Sequence, residues 1–189
     1  MKTKILSIII IIACGAFLPL FGQDKDQRTV PIKVNLIIED SAALSAVLND
    51  VGTQPSNSLV NGILQNGDHL TVWTAGKTAQ ILFNDTLKTQ DDKTRISNIL
   101  KNLPVKGDYA DFSTALNNAA SQKTGQNIQY TMLVSASRTT LSPANLGSSA
   151  QLMKYSKVEN YSGWQALIIA PGINEQVRQA AAAYYSAKH

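Results

Sequence analysis

A single cysteine, Cys14, stands in a chain of 189 residues. One thiol closes no intramolecular disulfide and builds no thiolate cluster for zinc. Aromatic residues make up 6% of the chain and charged residues 16%. No Lys/Arg cluster forms, and the few aromatics are not interleaved with basic residues, which argues against a nucleic-acid partner. Histidine occurs twice, at His69 and His189. No serine sits in a Gly-x-Ser-x-Gly elbow, so no nucleophile and base can be paired, and no small-molecule substrate is indicated. Asn145-Leu-Gly147-Ser-Ser lacks the lysine and second glycine of a phosphate loop. These gaps leave a non-enzyme as the first expectation and an extracytoplasmic hydrolase as the last.

What is present begins at the N-terminus. Lys2 and Lys4 precede an apolar stretch over residues 5–21, broken late by Pro19, and Gly22 then leads into the polar Gln23-Asp-Lys-Asp. That order of charge, apolar run and small residue predicts a secretory signal over residues 1–23, and hence a periplasmic or secreted protein. The alternative lies in Ile11-Ile-Ala-Cys14-Gly, which resembles a bacterial lipobox and would leave a lipoprotein anchored through Cys14. Without Lys2 and Lys4, 15 basic residues face 13 acidic ones, so the formal charge of +4 overstates the basicity. Residues 24–189 suit one domain with a real core.

Along that domain, Ile32, Val34, Leu36 and Ile38 alternate in a strand that becomes apolar on both faces, with Asp40 continuing the phase. Leu44, Val47, Leu48 and Val51 fall at i, i+3, i+4 and i+7, predicting a helix that Gly52 and Pro55 interrupt before Leu59, Val60, Ile63 and Leu64 resume it. Residues 69–74 and 79–83 read as an antiparallel hairpin, with Trp73 in the core. Asp91-Asp92 suits the start of a helix carrying Ile96, Ile99, Leu100 and Leu103. A second helix places Phe112, Ala115, Leu116 and Ala119 on one side. Residues 128–134 read as a strand, residues 146–161 as a polar helical region and residues 164–170 as a buried strand with Trp164 in the core. A final helix turns Ile173, Val177, Ala180, Ala181 and Tyr184 inward. The alternation predicts an α/β fold: a three-layer sandwich, its sheet mostly parallel with one antiparallel edge strand, helices on both faces. Ligands of such sheets meet the loops beyond the strands' carboxyl ends.

Three of those loops, in order and spacing, resemble the von Willebrand factor A domain. Val34-Asn-Leu-Ile-Ile-Glu-Asp40-Ser-Ala-Ala-Leu-Ser45 is similar to that family's first strand and metal-site loop. Asp68-His-Leu-Thr-Val-Trp-Thr is similar to its second strand. Gly107-Asp-Tyr-Ala-Asp-Phe-Ser-Thr-Ala-Leu116 and Tyr130-Thr-Met-Leu-Val-Ser-Ala-Ser137 are similar to its second loop and fourth strand.

The resemblance implies a metal-ion-dependent adhesion site, and the residues depart from it. Asp40 stands at the first aspartate, but Ala42 and Leu44 occupy the serine positions, Ala110 the threonine and Ala136 the last aspartate. One carboxylate does not hold Mg²⁺ against its hydration shell. The expectation is therefore a protein–protein interaction module with no cofactor. Its contact rim would be Asp40, Asp108, Asp111 and Ser137, and its partner another envelope or extracellular protein. The alternative is Mg²⁺-dependent adhesion through a rearranged site of Asp40, Ser41, Ser45 and Asp111. Contact with a membrane is expected only if Cys14 is lipidated.

Overall fold

All eight residues of Ile32–Glu39 (β1) are buried, so this strand must be covered on both faces. Its pleat sends Ile32, Val34, Leu36 and Ile38 into one core and Ile37 into a second. The computed structural model that shows this describes residues 30–105, 107, 111–122, 128–136, 141, 146 and 156–169. The predicted signal, Cys14 and the predicted final helix lie outside the described residues.

β1 is flanked by His69–Ala75 (β2) and Ile128–Ser135 (β4), both parallel to it. Ala79–Thr86 (β3) folds back antiparallel on β2 as the expected hairpin. On the other side Trp164–Ile169 (β6) runs antiparallel to β4, and Ser156–Tyr161 (β5) antiparallel to β6. The order is β3-β2-β1-β4-β6-β5, a six-stranded mixed sheet of the α/β class. The expectation of a mostly parallel sheet with one antiparallel edge strand is corrected: among the described residues only the two pairings of β1 are parallel.

The reversal comes from a second hairpin, where a helix was expected up to residue 161. Ser162 and Gly163 make a two-residue turn, and Gly163 holds the left-handed backbone, at φ 81°, that a side chain resists. Tyr161 stacks on Trp164 across the turn, with ring centroids 3.9 Å apart and planes 8° from parallel. Stacking beside a tight turn favours the strand over the helix.

Helices contribute residues to both cores. In the first, Ala42–Ser45 (α1), Leu48–Pro55 (α2) and Gln90–Lys101 (α3) bring Leu44, Val51, Ile96 and Leu100 onto β1 and β2. In the second, Phe112–Ser121 (α4) packs Phe112, Ala115 and Leu116 with Ile37, Trp73 and Leu133. Gly52 lies within α2 and does not interrupt it as expected. A Cβ on Gly52 would lie 2.4 Å from the Leu100 carbonyl oxygen, so the glycine lets α2 touch α3. Pro55 ends α2, and a wider π-helical turn, Ser56–Asn61, carries the chain onward. Among the described residues no helix is long and apolar enough to cross a membrane.

Candidate functional site

The last residue of β1 is an acid in an otherwise apolar run. Glu39 points to the same face as Ile37 and is 3% exposed. The end of β4 lies beside it, because Ile38 pairs with Val134. The Ser135 hydroxyl therefore donates to Glu39 Oε2 at 2.5 Å, and the Ala136 N–H to the same oxygen at 2.8 Å. From the loop after β1, the Ser41 hydroxyl donates to Oε1 at 2.6 Å. A buried carboxylate is tolerated where donors replace its lost water, and three do so here.

Asp40 leaves the sheet and draws two further loops together. Its N–H donates to the Ala75 carbonyl at 2.9 Å, and its Oδ1 accepts from the Gly107 N–H at 2.8 Å. A Cβ on Gly107 would sit 2.5 Å from the Asp40 carbonyl oxygen, and one on Gly76 would sit 2.9 Å from Oδ2. Both glycines are there because Asp40 lies against their backbone. The exits of β1 and β2 and the α3–α4 connection meet around this one residue.

The other predicted site residues have separate engagements. Asp111 caps α4: its Oδ1 accepts from the Ser113 N–H at 2.9 Å and the Thr114 N–H at 3.2 Å, and its Oδ2 from the Thr114 hydroxyl at 2.6 Å. These bonds, the Thr114 hydroxyl foremost, hold its carboxyl below the ordinary aspartate range. Ser41 caps α1 and joins Glu39 rather than Asp40. Ser45 is exposed and donates back to the Ala42 carbonyl at 2.6 Å. Asp108, Ala110 and Ser137 lie outside the described residues. Among the described residues no group of three or more His, Cys, Asp or Glu side chains is placed to hold a metal ion.

Glu39 is the residue that sequence reasoning passed over. Its signal was a carboxylate inside the apolar run Leu-Ile-Ile-Glu, one position before the aspartate to which the resemblance drew attention.

His69 opens β2, at the opposite end of the sheet. Six residue steps of strand, roughly 20 Å, separate it from Ala75 at the rim. Its ring nitrogens meet Thr86 Oγ1 at 3.2 Å and Asn84 Oδ1 at 2.8 Å. Both tryptophans are buried as expected, and Trp164 Nε1 donates to Asp50 Oδ2 on α2 at 2.6 Å. Away from the rim, a groove between β3 and α3 is lined by Leu82, Arg95, Ile99 and Pro104, with Arg95 4.9 Å above the Phe83 ring centroid.

No family model and no curated protein matches this chain. Among solved structures, proximal thread matrix protein 1 from the mussel byssus is similar over 53% of this chain and 29% of its own, at 14% identity and a TM-score of 0.41. This chain thus spans less than a third of that protein's length.

Proposed function

We propose that this protein is an exported, non-catalytic module that binds another envelope or extracellular protein through the loops at the carboxyl end of its sheet, without a metal. The fold is read as a three-layer sandwich akin to the von Willebrand factor A domain. One observation carries the reading: the rim carboxylates serve the rim itself. Glu39 ties β1 to β4, Asp40 ties β1 to the α3–α4 connection, and Asp111 caps α4. Carboxylates held this way make a stiff loop platform, and a surface that is already ordered loses little entropy when a partner docks.

The test is a thermal melt with rising Mg²⁺ or Mn²⁺. No change is expected, because an ion that does not bind the native state does not stabilise it. A large, saturable rise in melting temperature sinks the metal-free reading. Crosslinking in the native envelope then asks for the partner: capture is expected from the wild type and is lost in the rim variants Asp108→Arg and Ser137→Arg. Capture that survives both variants overturns the rim as the contact.

A second reading has one observation in its favour. Glu39, Ser41 Oγ and Ser135 Oγ already form a small oxygen cluster, and Glu39 precedes Ser41 with the family's Asp-x-Ser spacing. A cation there would be lost in Glu39→Gln, so the same melt with this variant separates it from the site of Asp40, Ser41, Ser45 and Asp111.

A further inference from the structure

The amino end of β1 carries two polar side chains on the face that it shares with Ile37 and Glu39. Lys33 is 5% exposed and Asn35 is wholly buried. The register sets His69 and Gln129 beside Lys33, and Thr71 and Thr131 beside Asn35. Two residues beyond Thr71, Trp73 faces the same way and is also buried. His69 and Thr71 are engaged with β3, through Thr86 and Asn84. Other groups here are left over. Among the described residues, the Lys33 ammonium, both polar side-chain atoms of Asn35 and Trp73 Nε1 have no hydrogen-bond partner.

Lys33 also lacks a counter-charge. On β1 to β4 the one carboxylate on this face is Glu39, six strand steps or roughly 20 Å away. Asp68, beside His69, accepts instead from the Ile32 and Gln65 N–H groups, at 2.8 and 2.7 Å. An ammonium that loses water and gains no partner is driven toward its neutral form, and burial does lower the Lys33 pKa. The groups left over are thus one cation, the N–H donors of Asn35 and Trp73, and a single acceptor, Asn35 Oδ1. Donors in excess around a cation suit an oxyanion, and the lone acceptor suits one O–H upon it.

We propose that Lys33, Asn35 and Trp73 form a binding site for a small oxyanion that keeps an O–H, such as hydrogenphosphate. The ammonium and the two N–H groups donate to its oxygens, and its O–H donates to Asn35 Oδ1. Sulfate carries no proton at neutral pH and would set an acceptor against that oxygen. Burial of Asn35 and Trp73 favours a free anion over a phosphate carried on a larger molecule. α4 starts at the rim and runs toward the amino ends of the strands, and the residues that its later turns direct inward include the short Ala115 and Ala119. The site is distinct from the loop rim. It also gives the unbonded Asn35 a use, since polar groups left unsatisfied in a fold commonly serve a ligand.

The test is a thermal melt of the purified chain, as its host processes it, with rising inorganic phosphate at neutral pH. Sulfate and chloride at matched ionic strength are the controls, because sulfate stabilises folded proteins generally by exclusion from their surface. Phosphate should raise the melting temperature saturably, by roughly 5 °C or more beyond sulfate. Lys33→Met and Asn35→Val should each weaken phosphate binding about tenfold or more, read by calorimetric titration. Asn35→Val puts an apolar side chain into the sheet interior, so it keeps the outcome readable if Lys33→Met does not fold. Glycerol 3-phosphate should bind less well than phosphate, and a larger shift from it overturns the free anion as the occupant. Equal shifts from phosphate and sulfate up to about 50 mM, or phosphate binding that both variants keep, overturn the site.

Discussion

Two polar residues sit four positions apart on one face of β1, and the fold treats them differently. Glu39 is 3% exposed and its oxygens take bonds from Ser41, Ser135 and Ala136. Asn35 is wholly buried, and among the described residues neither its side-chain nitrogen nor its side-chain oxygen has a hydrogen-bond partner. The register puts Thr71 and Thr131 on either side of Asn35. Thr71 gives its hydroxyl to Asn84 on the edge strand instead, at 2.9 Å. Burial by itself thus says little about a polar side chain. The rim residue is part of a bonded joint between strands, whereas Asn35 costs stability and returns none through bonding.

The comparison breaks most visibly if Glu39 is removed. Glu39→Ala leaves two hydroxyls and one N–H without their acceptor, and a loss of about 3 kcal/mol or more is expected. Chemical denaturation, with the slope unchanged from wild type, measures it. A loss below about 1 kcal/mol would mean that water serves the same donors and that the joint is incidental. Asn35 should respond in the other direction. Asn35→Val removes an unbonded amide from the sheet interior and adds a β-branched side chain, so a gain of about 1–2 kcal/mol is expected. If Asn35→Val destabilises instead, a buried water bonds the amide, and the contrast with Glu39 disappears.

Much of this arrangement was legible in the residues. The alternation of Ile32, Val34, Leu36 and Ile38 fixes β1, and the 3.6-residue spacing of Ile96, Ile99 and Leu100 or of Phe112, Ala115 and Leu116 fixes α3 and α4. In these segments the local period and the tertiary environment agree. β5 was not legible, because Lys157 and Glu159 break any apolar pattern and its strand form depends on the partner across the Gly163 turn. Gly52 and Pro55 misled for a related reason. Their meaning comes from the Leu100 carbonyl pressed against α2 and from a π-helical turn that accommodates the proline, both set by distant chain. At the rim, Asp40 was legible as a strand-end carboxylate, whereas Asp111 was expected only at a contact rim or a metal site and is a helix cap. The role of Glu39 depends on where β4 ends, 96 residues later.

Asp111 extends the comparison to a carboxylate at the surface of the same rim, where the effect should be smallest and dependent on pH. Its bonds to Thr114 and Ser113 hold its pKa below the ordinary 3.8. A carboxyl whose pKa is lower in the folded state stabilises fully above its unfolded value, and loses that contribution as pH falls through the folded value. Asp111→Ala should therefore cost about 1 kcal/mol at neutral pH, the usual cost of losing a helix cap. The difference in melting temperature between variant and wild type should hold from neutral pH down to about pH 5 and narrow below it, as the native carboxylate takes up a proton. A gap that stays constant down to the acid transition would assign the cap to geometry alone. A gap much larger than that of an ordinary cap would mean that Asp111 joins the α3–α4 connection to the strand ends, as Asp40 does through Gly107.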